Sequence, residues 1–126
     1  MHPVIHFEIH AAKPEEAAKF YSDVFGWSVK KWDGPFPYWL VSTKSEKGNG
    51  IDGAIVSRRG PGPADGAPVN AYVCTIVVDS LDGSMEKVKS SGGQIAVEKS
   101  EVPTIGWLAY AKDPEGNLFG MLEPTM

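Results

Sequence analysis

The first ten residues contain three side chains that could bind a metal ion or transfer a proton. His6, Glu8 and His10 alternate with the apolar residues Phe7 and Ile9 in the stretch HFEIH. Imidazole and carboxylate groups serve both as metal ligands and as general acids or bases, so both chemistries are open. A third interpretation is a polar strand face that lines a wet cavity.

The alternation predicts a strand, and strand geometry limits how these side chains can cooperate. Residues two apart on one face lie about 6.7 Å from each other, so His6 and Glu8 can touch one ligand. His6 and His10 lie about 13 Å apart, too far to share an ion easily. This strand alone therefore offers at most a two-ligand metal site.

The two halves of the chain predict the same order of elements. After the first strand, PEEAAKFYSDVFG predicts a helix that stops at Gly26, and three strand-like stretches follow it. The second half has a strand at AYVCTIVVD, a helix at SLDGSMEKVKSSGG and three further strands, the last two joined by the turn DPEG. A shift of 67 residues aligns Gly26 with Gly93 and Ile9 with Ile76, which indicates a duplication.

This order predicts an α+β fold with a single domain over residues 1–126. Two tandem βαβββ modules would form a cupped, mostly antiparallel eight-stranded sheet, with the helices on its outer face. Module one covers residues 1–57 and module two covers residues 70–126. The glycine- and proline-rich residues 58–69 are the predicted linker.

Composition narrows the classes of partner. The net charge of -4 and the pI of about 5.3 offer no basic surface for nucleic acid. No apolar run reaches the roughly 18 residues that a membrane span needs, so we expect no membrane partner and a cytoplasmic protein. The single cysteine, Cys74, lies in an apolar run and is expected to be a small core residue.

Two stretches resemble the vicinal oxygen chelate superfamily. IHFEIHAAKPEEAAKFYSDVFGW is similar to the first strand and helix of that superfamily, and AKDPEGNLFGMLEP is similar to its closing hairpin. The superfamily includes glyoxalase I, extradiol dioxygenases, fosfomycin resistance enzymes and bleomycin resistance proteins. The resemblance extends over essentially the whole chain and supports the predicted fold, whereas the fold alone does not decide the activity.

The resemblance also implies four positions for metal ligands, at equivalent points of the two modules. They fall on His6, Gly53, Val73 and Gly120. Only His6 has a donor side chain, and one neutral imidazole does not hold a divalent ion against water. We therefore expect no metal and no other cofactor, and the two glycines should leave open space. A divalent metal is the alternative if a second chain completes the site.

The same strand faces predict a cavity for a small, partly apolar molecule. His6 and Glu8 would line it from the first module, joined by Thr75 from the second. Trp39 and Trp107 would border it; the alternative is that both tryptophans pack against a helix or a partner subunit. We expect these five residues to contact the ligand.

Three functions are open. The first is a metal-free binding protein for a small molecule, the role that the resemblance to bleomycin resistance proteins implies. The second is a glyoxalase-like lyase, isomerase or dioxygenase that uses an unexpected metal, or His6 and Glu8 as acid and base. The third is an interaction module with a vestigial cup. The resemblance and the flexible linker also predict a homodimer.

Overall fold

The computed structural model describes residues 1–69 and 72–125. Its elements follow the predicted order: β1 (Val4–Ala11), α1 (Pro14–Phe25), β2 (Ser28–Lys31), β3 (Tyr38–Ser42), β4 (Gly53–Ser57), β5 (Val73–Val77), α2 (Leu81–Ser90), β6 (Gln94–Val102), β7 (Gly106–Lys112) and β8 (Leu118–Pro124). Of the helices in the described residues, none is long and apolar enough to cross a membrane. The twofold βαβββ order is confirmed.

The strands belong to one mixed sheet of eight strands that is not closed. Their order is β2-β3-β4-β1-β5-β8-β7-β6. In each half the first strand pairs with the last in parallel, as β1 with β4 and β5 with β8. The remaining pairings within each half are antiparallel. The predicted α+β class and its tandem repeat are therefore confirmed at the level of strand order and direction.

The chain divides into two compact units, which we call the first and the second unit. The first unit consists of the described part of residues 6–72. The second unit joins residues 1–5 to the described part of residues 73–126. Residues 70, 71 and 126, which the sequence assigned to module two, lie outside the described residues.

In the first unit, α1 packs through aromatic side chains. The helix begins at Pro14, whose missing N–H costs nothing at a helix start, and it stops at Gly26, which adopts a left-handed φ of 74°. The ring of Tyr21 stacks on Trp27 with centroids 4.8 Å apart, and Trp27 contacts Phe7 at 5.9 Å. Phe7 therefore marks the side of β1 that faces the helix.

In the second unit, the core lies between α2 and the sheet. Its buried members are Val78, Leu81, Met85, Ala109, Ala111 and Met121. Met121 is the direct cross-strand neighbour of both Ile76 and Ala109, so these side chains share the helix-facing side. Cys74 alternates with Ile76 on that side and is half-buried.

We expect Ser80→Ala to lower the free energy of unfolding by about 1 kcal/mol, because Ser80 caps α2. Its Oγ accepts a hydrogen bond from the backbone N–H of Gly83 at 3.1 Å. Urea denaturation of wild type and variant measures the difference. Ser84→Ala, within the same helix, is the matched control and should cost nothing, because alanine favours a helix interior. Equal losses in the two variants would contradict the capping role.

Candidate functional site

His6 and Glu8 are joined by a third residue, Tyr38 of β3. The Tyr38 Oη lies 2.9 Å from His6 Nε2 and donates to Glu8 Oε2 at 3.2 Å. The rings of His6 and Tyr38 are parallel within 4°, with centroids 6.4 Å apart. Glu8 is 6% exposed and His6 is half-buried. The first unit thus brings together His6, Glu8 and Tyr38 in one hydrogen-bonded network, which we call the His6–Tyr38–Glu8 network.

Hydrogen-bonding rules place the protons in this network. An ionised carboxylate only accepts, so the single hydroxyl proton of Tyr38 points to Glu8. His6 must then donate its Nε2–H to Tyr38, and Nδ1 keeps the lone pair of the neutral imidazole. This assignment follows from the partners, since hydrogen positions are inferred and not observed.

The surroundings hold both His6 and Tyr38 in their neutral forms. Burial lowers the pKa of His6 below its ordinary 6.5, against the opposing effect of the negative charges of Glu8 and Asp52. Burial, and then the charge of Glu8, raise the pKa of Tyr38 well above its ordinary value. Near neutral pH the network therefore presents a neutral imidazole, a protonated phenol and a buried carboxylate side chain.

We expect protonation of His6 to oppose folding. Because its folded pKa lies below the unfolded value of about 6.5, the unfolded chain binds the proton first as the pH falls. The free energy of unfolding should therefore decrease as the pH falls from about 6.5 toward the folded pKa. Urea denaturation at about pH 7.5 and about pH 5.5 should show a smaller pH dependence for His6→Gln than for wild type. Equal dependence would contradict the buried, neutral imidazole.

The strand register explains why Tyr38 lies on this face of the sheet. Tyr38 is the cross-strand neighbour of Val56 in β4, and Val56 is the neighbour of His10 in β1. Direct neighbours share a face, so Tyr38 and His10 lie on the face of Glu8. In the intervening strand, Glu8 is in register with the fully buried Ala54. A larger residue at position 54 would compete with the Tyr38 ring for space.

Two aromatic residues of the β2–β3 connection surround Tyr38. Trp32 meets the Tyr38 ring edge-on at 5.7 Å, and Phe36 does so at 6.3 Å. Phe36 is 47% exposed. The polar network therefore has an apolar wall that is open to solvent at Phe36.

Thr75 lies in the second unit, on the strand face opposite to Ile76, and is 4% exposed. A Cβ at its cross-strand neighbour Gly120 would lie 3.0 Å from Thr75 Oγ1 and 3.2 Å from Cε1 of Tyr110. The expectation that Gly120 leaves open space is therefore wrong. The Thr75 hydroxyl and the Tyr110 ring occupy that volume.

Gly53 also leaves no open space, and it faces the other way from His6. It is in register with Phe7, and a Cβ there would lie 2.5 Å from the Phe7 carbonyl oxygen and 2.7 Å from Cδ1 of its ring. The proposed equivalence of Gly53 and Gly120 fails by one residue, because Glu8 pairs with Ala54 whereas Thr75 pairs with Gly120. A shift of 67 residues aligns the sequences but not the register of the last strands.

The residues present do not fit a metal ion at the positions implied by the family resemblance. Val73 has no donor, and rings of Phe7 and Tyr110 lie where side chains at the two glycines would begin. Within the described part of the chain, no three His, Cys, Asp or Glu side chains are close enough to hold an ion together. The function proposed below therefore uses no metal at these positions.

The structure places Trp39 and Trp107 away from the expected cavity, on the helix-facing sides of their units. Trp39 is in register with Ile55, the neighbour of Ile9, and so shares the side of Phe7. Trp107 alternates with Ala109 and Ala111, which pack in the core against α2. Each indole instead lies under a lysine, Lys31 at 5.5 Å and Lys99 at 5.0 Å. We therefore leave both tryptophans out of the proposed site.

The sequence analysis missed Tyr38 as the partner of His6 and Glu8. Tyr38 and Trp39 are adjacent in a predicted strand, and alternation alone says only that they face opposite ways. The choice between them depends on the register of β3 against β4. The aromatic run in FPYW was the available signal, and its orientation was not readable from the chain.

The sequence matches the model of the Glyoxalase/Bleomycin resistance protein/Dioxygenase superfamily over residues 4–121. The chain belongs to this superfamily. It is 28% identical over 116 residues to CFP32 of Mycobacterium tuberculosis, a protein provisionally named a glyoxylase, covering 90% of this chain and 42% of that one. It is 34% identical over 113 residues to a glyoxylase-like domain-containing protein of Didymella fabae, covering 87% and 84%.

Among solved structures, methylmalonyl-CoA epimerase from Mycobacterium tuberculosis has the same fold. The TM-score is 0.69 at 15% identity, with 98% of this chain and 88% of the epimerase covered. At this identity the similarity shows the superfamily fold and not a shared activity. The chain spans less than half the length of CFP32, so the activity of that whole protein does not transfer to it directly.

Proposed function

We propose that this superfamily member binds a small organic molecule of mixed polarity at the His6–Tyr38–Glu8 network, without a metal ion at the inherited ligand positions. The observation that carries the proposal is the network itself, a buried carboxylate side chain linked through a phenol to a neutral imidazole. His6 and Glu8 remain the proposed ligand contacts, and Tyr38 joins them. Thr75, in the second unit, is not needed for this proposal.

The energetic argument concerns the cost of keeping polar groups out of water. A polar group withdrawn from water is costly unless it is hydrogen-bonded, and a charged group costs more. An apolar residue at position 8 would avoid this cost if the strand served only to pack a core. The presence of Glu8, held by Tyr38, therefore favours a role in orienting a bound molecule.

The surroundings define the chemistry of that molecule. The His6 Nδ1 accepts a hydrogen bond from a hydroxyl or an amide, whereas Trp32 and Phe36 offer ring faces and edges for an apolar portion. A compact molecule with one hydrogen-bonding end and one apolar end satisfies both. Glyoxylase-named relatives and a CoA-ester epimerase of the same fold are compatible with small organic ligands of this kind.

The test is a screen of small hydroxy and oxo compounds by ligand-observed NMR, combined with metal analysis of protein purified without chelator. We expect fragments that bind wild type, lose binding to His6→Ala and Glu8→Ala, and keep binding to Lys47→Ala in the exposed loop before β4. Stoichiometric metal would overturn the metal-free part of the proposal. Equal fragment binding by all four proteins would overturn the site.

A second candidate is a metal-independent isomerase that moves a proton on carbon. The neutral imidazole of His6 favours it, because a base with a lowered pKa near neutrality can accept a proton and Tyr38 can then relay charge to Glu8. Methylmalonyl-CoA is a suitable probe, since the epimerase of the same fold bears its name. Exchange of the proton next to its thioester for deuterium should require His6, and absence of exchange above background would remove this candidate.

Two further expectations stay predictions. The interaction-module alternative is favoured by one observation, the Tyr110 ring that covers Gly120. The homodimer is checked by gel filtration with light scattering at micromolar concentration, where the expected mass is twice that of the 13.6 kDa chain. A mass of one chain at all concentrations would contradict it.

A further inference from the structure

Two buried nitrogen atoms at the end of β1 have no protein partner. His10 Nε2 and Arg58 Nε are shielded from water and, in the described residues, lack a hydrogen-bond partner. Such atoms are rare in folded proteins because leaving a buried donor unpaired is costly. Both belong to half-buried side chains that a small displacement would expose.

The two residues are held together by the backbone. Arg58 donates from Nη2 to the His10 carbonyl oxygen at 2.7 Å, and its backbone N–H donates to the carbonyl oxygen of Ala11 at 2.9 Å. The guanidinium is therefore fixed beside the His10 imidazole. No carboxylate among the described residues forms an ion pair with Arg58, so its positive charge is uncompensated there.

This pair lies on the same sheet face as the proposed ligand site. His10 is in register with Val56, which is in register with Tyr38. His10 is one alternation beyond Glu8, about 6.7 Å along the strand, and two beyond His6, about 13 Å. A molecule of moderate length at Tyr38 can therefore extend to Arg58.

We propose that Arg58 and His10 bind an anionic group, a carboxylate or a phosphate, of the molecule whose other end contacts the His6–Tyr38–Glu8 network. The guanidinium always carries donors and its planar edge matches both anions, whereas the neutral imidazole supplies one further N–H. Binding requires the half-buried side chains to rotate, so that Arg58 Nε and His10 Nε2 meet the anion. This proposal rests on the proposed function for the ligand's other end, whereas the anion site itself is measured independently.

The experiment follows the Arg58 Nε–H and His10 ring signals by NMR in the ¹⁵N-labelled full chain. Sodium acetate and sodium phosphate are titrated separately at constant ionic strength. We expect saturable shifts of both signals with at least one anion. Arg58→Gln should raise the anion's Kd about tenfold on the His10 signals, as loss of a charge-assisted hydrogen bond predicts. Arg59→Gln, the exposed neighbour, is the matched control and should change it less than about twofold.

The outcomes separate the two anions and the two proposals. Saturation by acetate alone identifies a carboxylate, and saturation by phosphate alone identifies a phosphate. Non-saturating shifts, or equal losses in the two arginine variants, overturn the anion site. If Arg58→Gln fails to fold, Arg58→Lys keeps the charge without Nε and should still weaken binding. Tyr38→Phe should leave anion saturation intact, so failure of the fragment screen with intact anion binding points to the first proposal.

Discussion

Replacing Tyr38 with phenylalanine is expected to weaken ligand binding about 100-fold and to lower the free energy of unfolding by about 2 kcal/mol. The hydroxyl both accepts from His6 Nε2 and donates to Glu8 Oε2, so its loss removes two hydrogen bonds of one network. The buried Glu8 loses a donor, and a half-paired buried network is less favourable than a complete one. Both losses have the same structural cause.

Fragment titration by NMR measures the binding loss for Tyr38→Phe, and urea denaturation measures the stability loss. Trp39→Phe is the matched control, because Trp39 is the next residue of β3 and lies on the opposite face. That variant should keep fragment affinity within about twofold. Loss of binding in Trp39→Phe, with Tyr38→Phe unaffected, would contradict the assignment of faces.

Adding one methyl group at Gly53 is expected to destabilise the protein by about 3 kcal/mol, because the new Cβ meets the backbone of β1. It would lie 2.5 Å from the Phe7 carbonyl oxygen, and a paired strand cannot move that atom cheaply. The Phe7 ring, which contacts Trp27 and Tyr72, blocks the remaining space. Chemical denaturation with urea gives the free energy directly.

Gly120→Ala is the comparison that tests the register. Its Cβ meets the Thr75 hydroxyl and the Tyr110 ring, which are side-chain atoms that can give by a few tenths of an ångström. We therefore expect a smaller loss of about 1 kcal/mol. Equal losses at the two glycines would show that they are equivalent after all and would contradict the one-residue difference in register.

Much of the fold was readable from local patterns. The alternation in Val4–Ala11 marks a strand because successive side chains of a strand point to opposite faces. Gly26 marks the end of α1 because it tolerates the left-handed conformation that closes a helix. The repetition of these signals after 67 residues predicted the second half, and strand order and direction in the structure agree.

The sequence by itself determined the elements, their duplication and the absence of donors at three of the four implied metal positions. Only the tertiary structure decided which side chains meet. A shift of one residue in strand pairing moves every side chain to the other face, and the pairing of Glu8 with Ala54 turned Gly53 toward the helix. The same register put Tyr38 beside His6 and Glu8 and placed Trp39 on the helix-facing side, since adjacent strand residues cannot share a face.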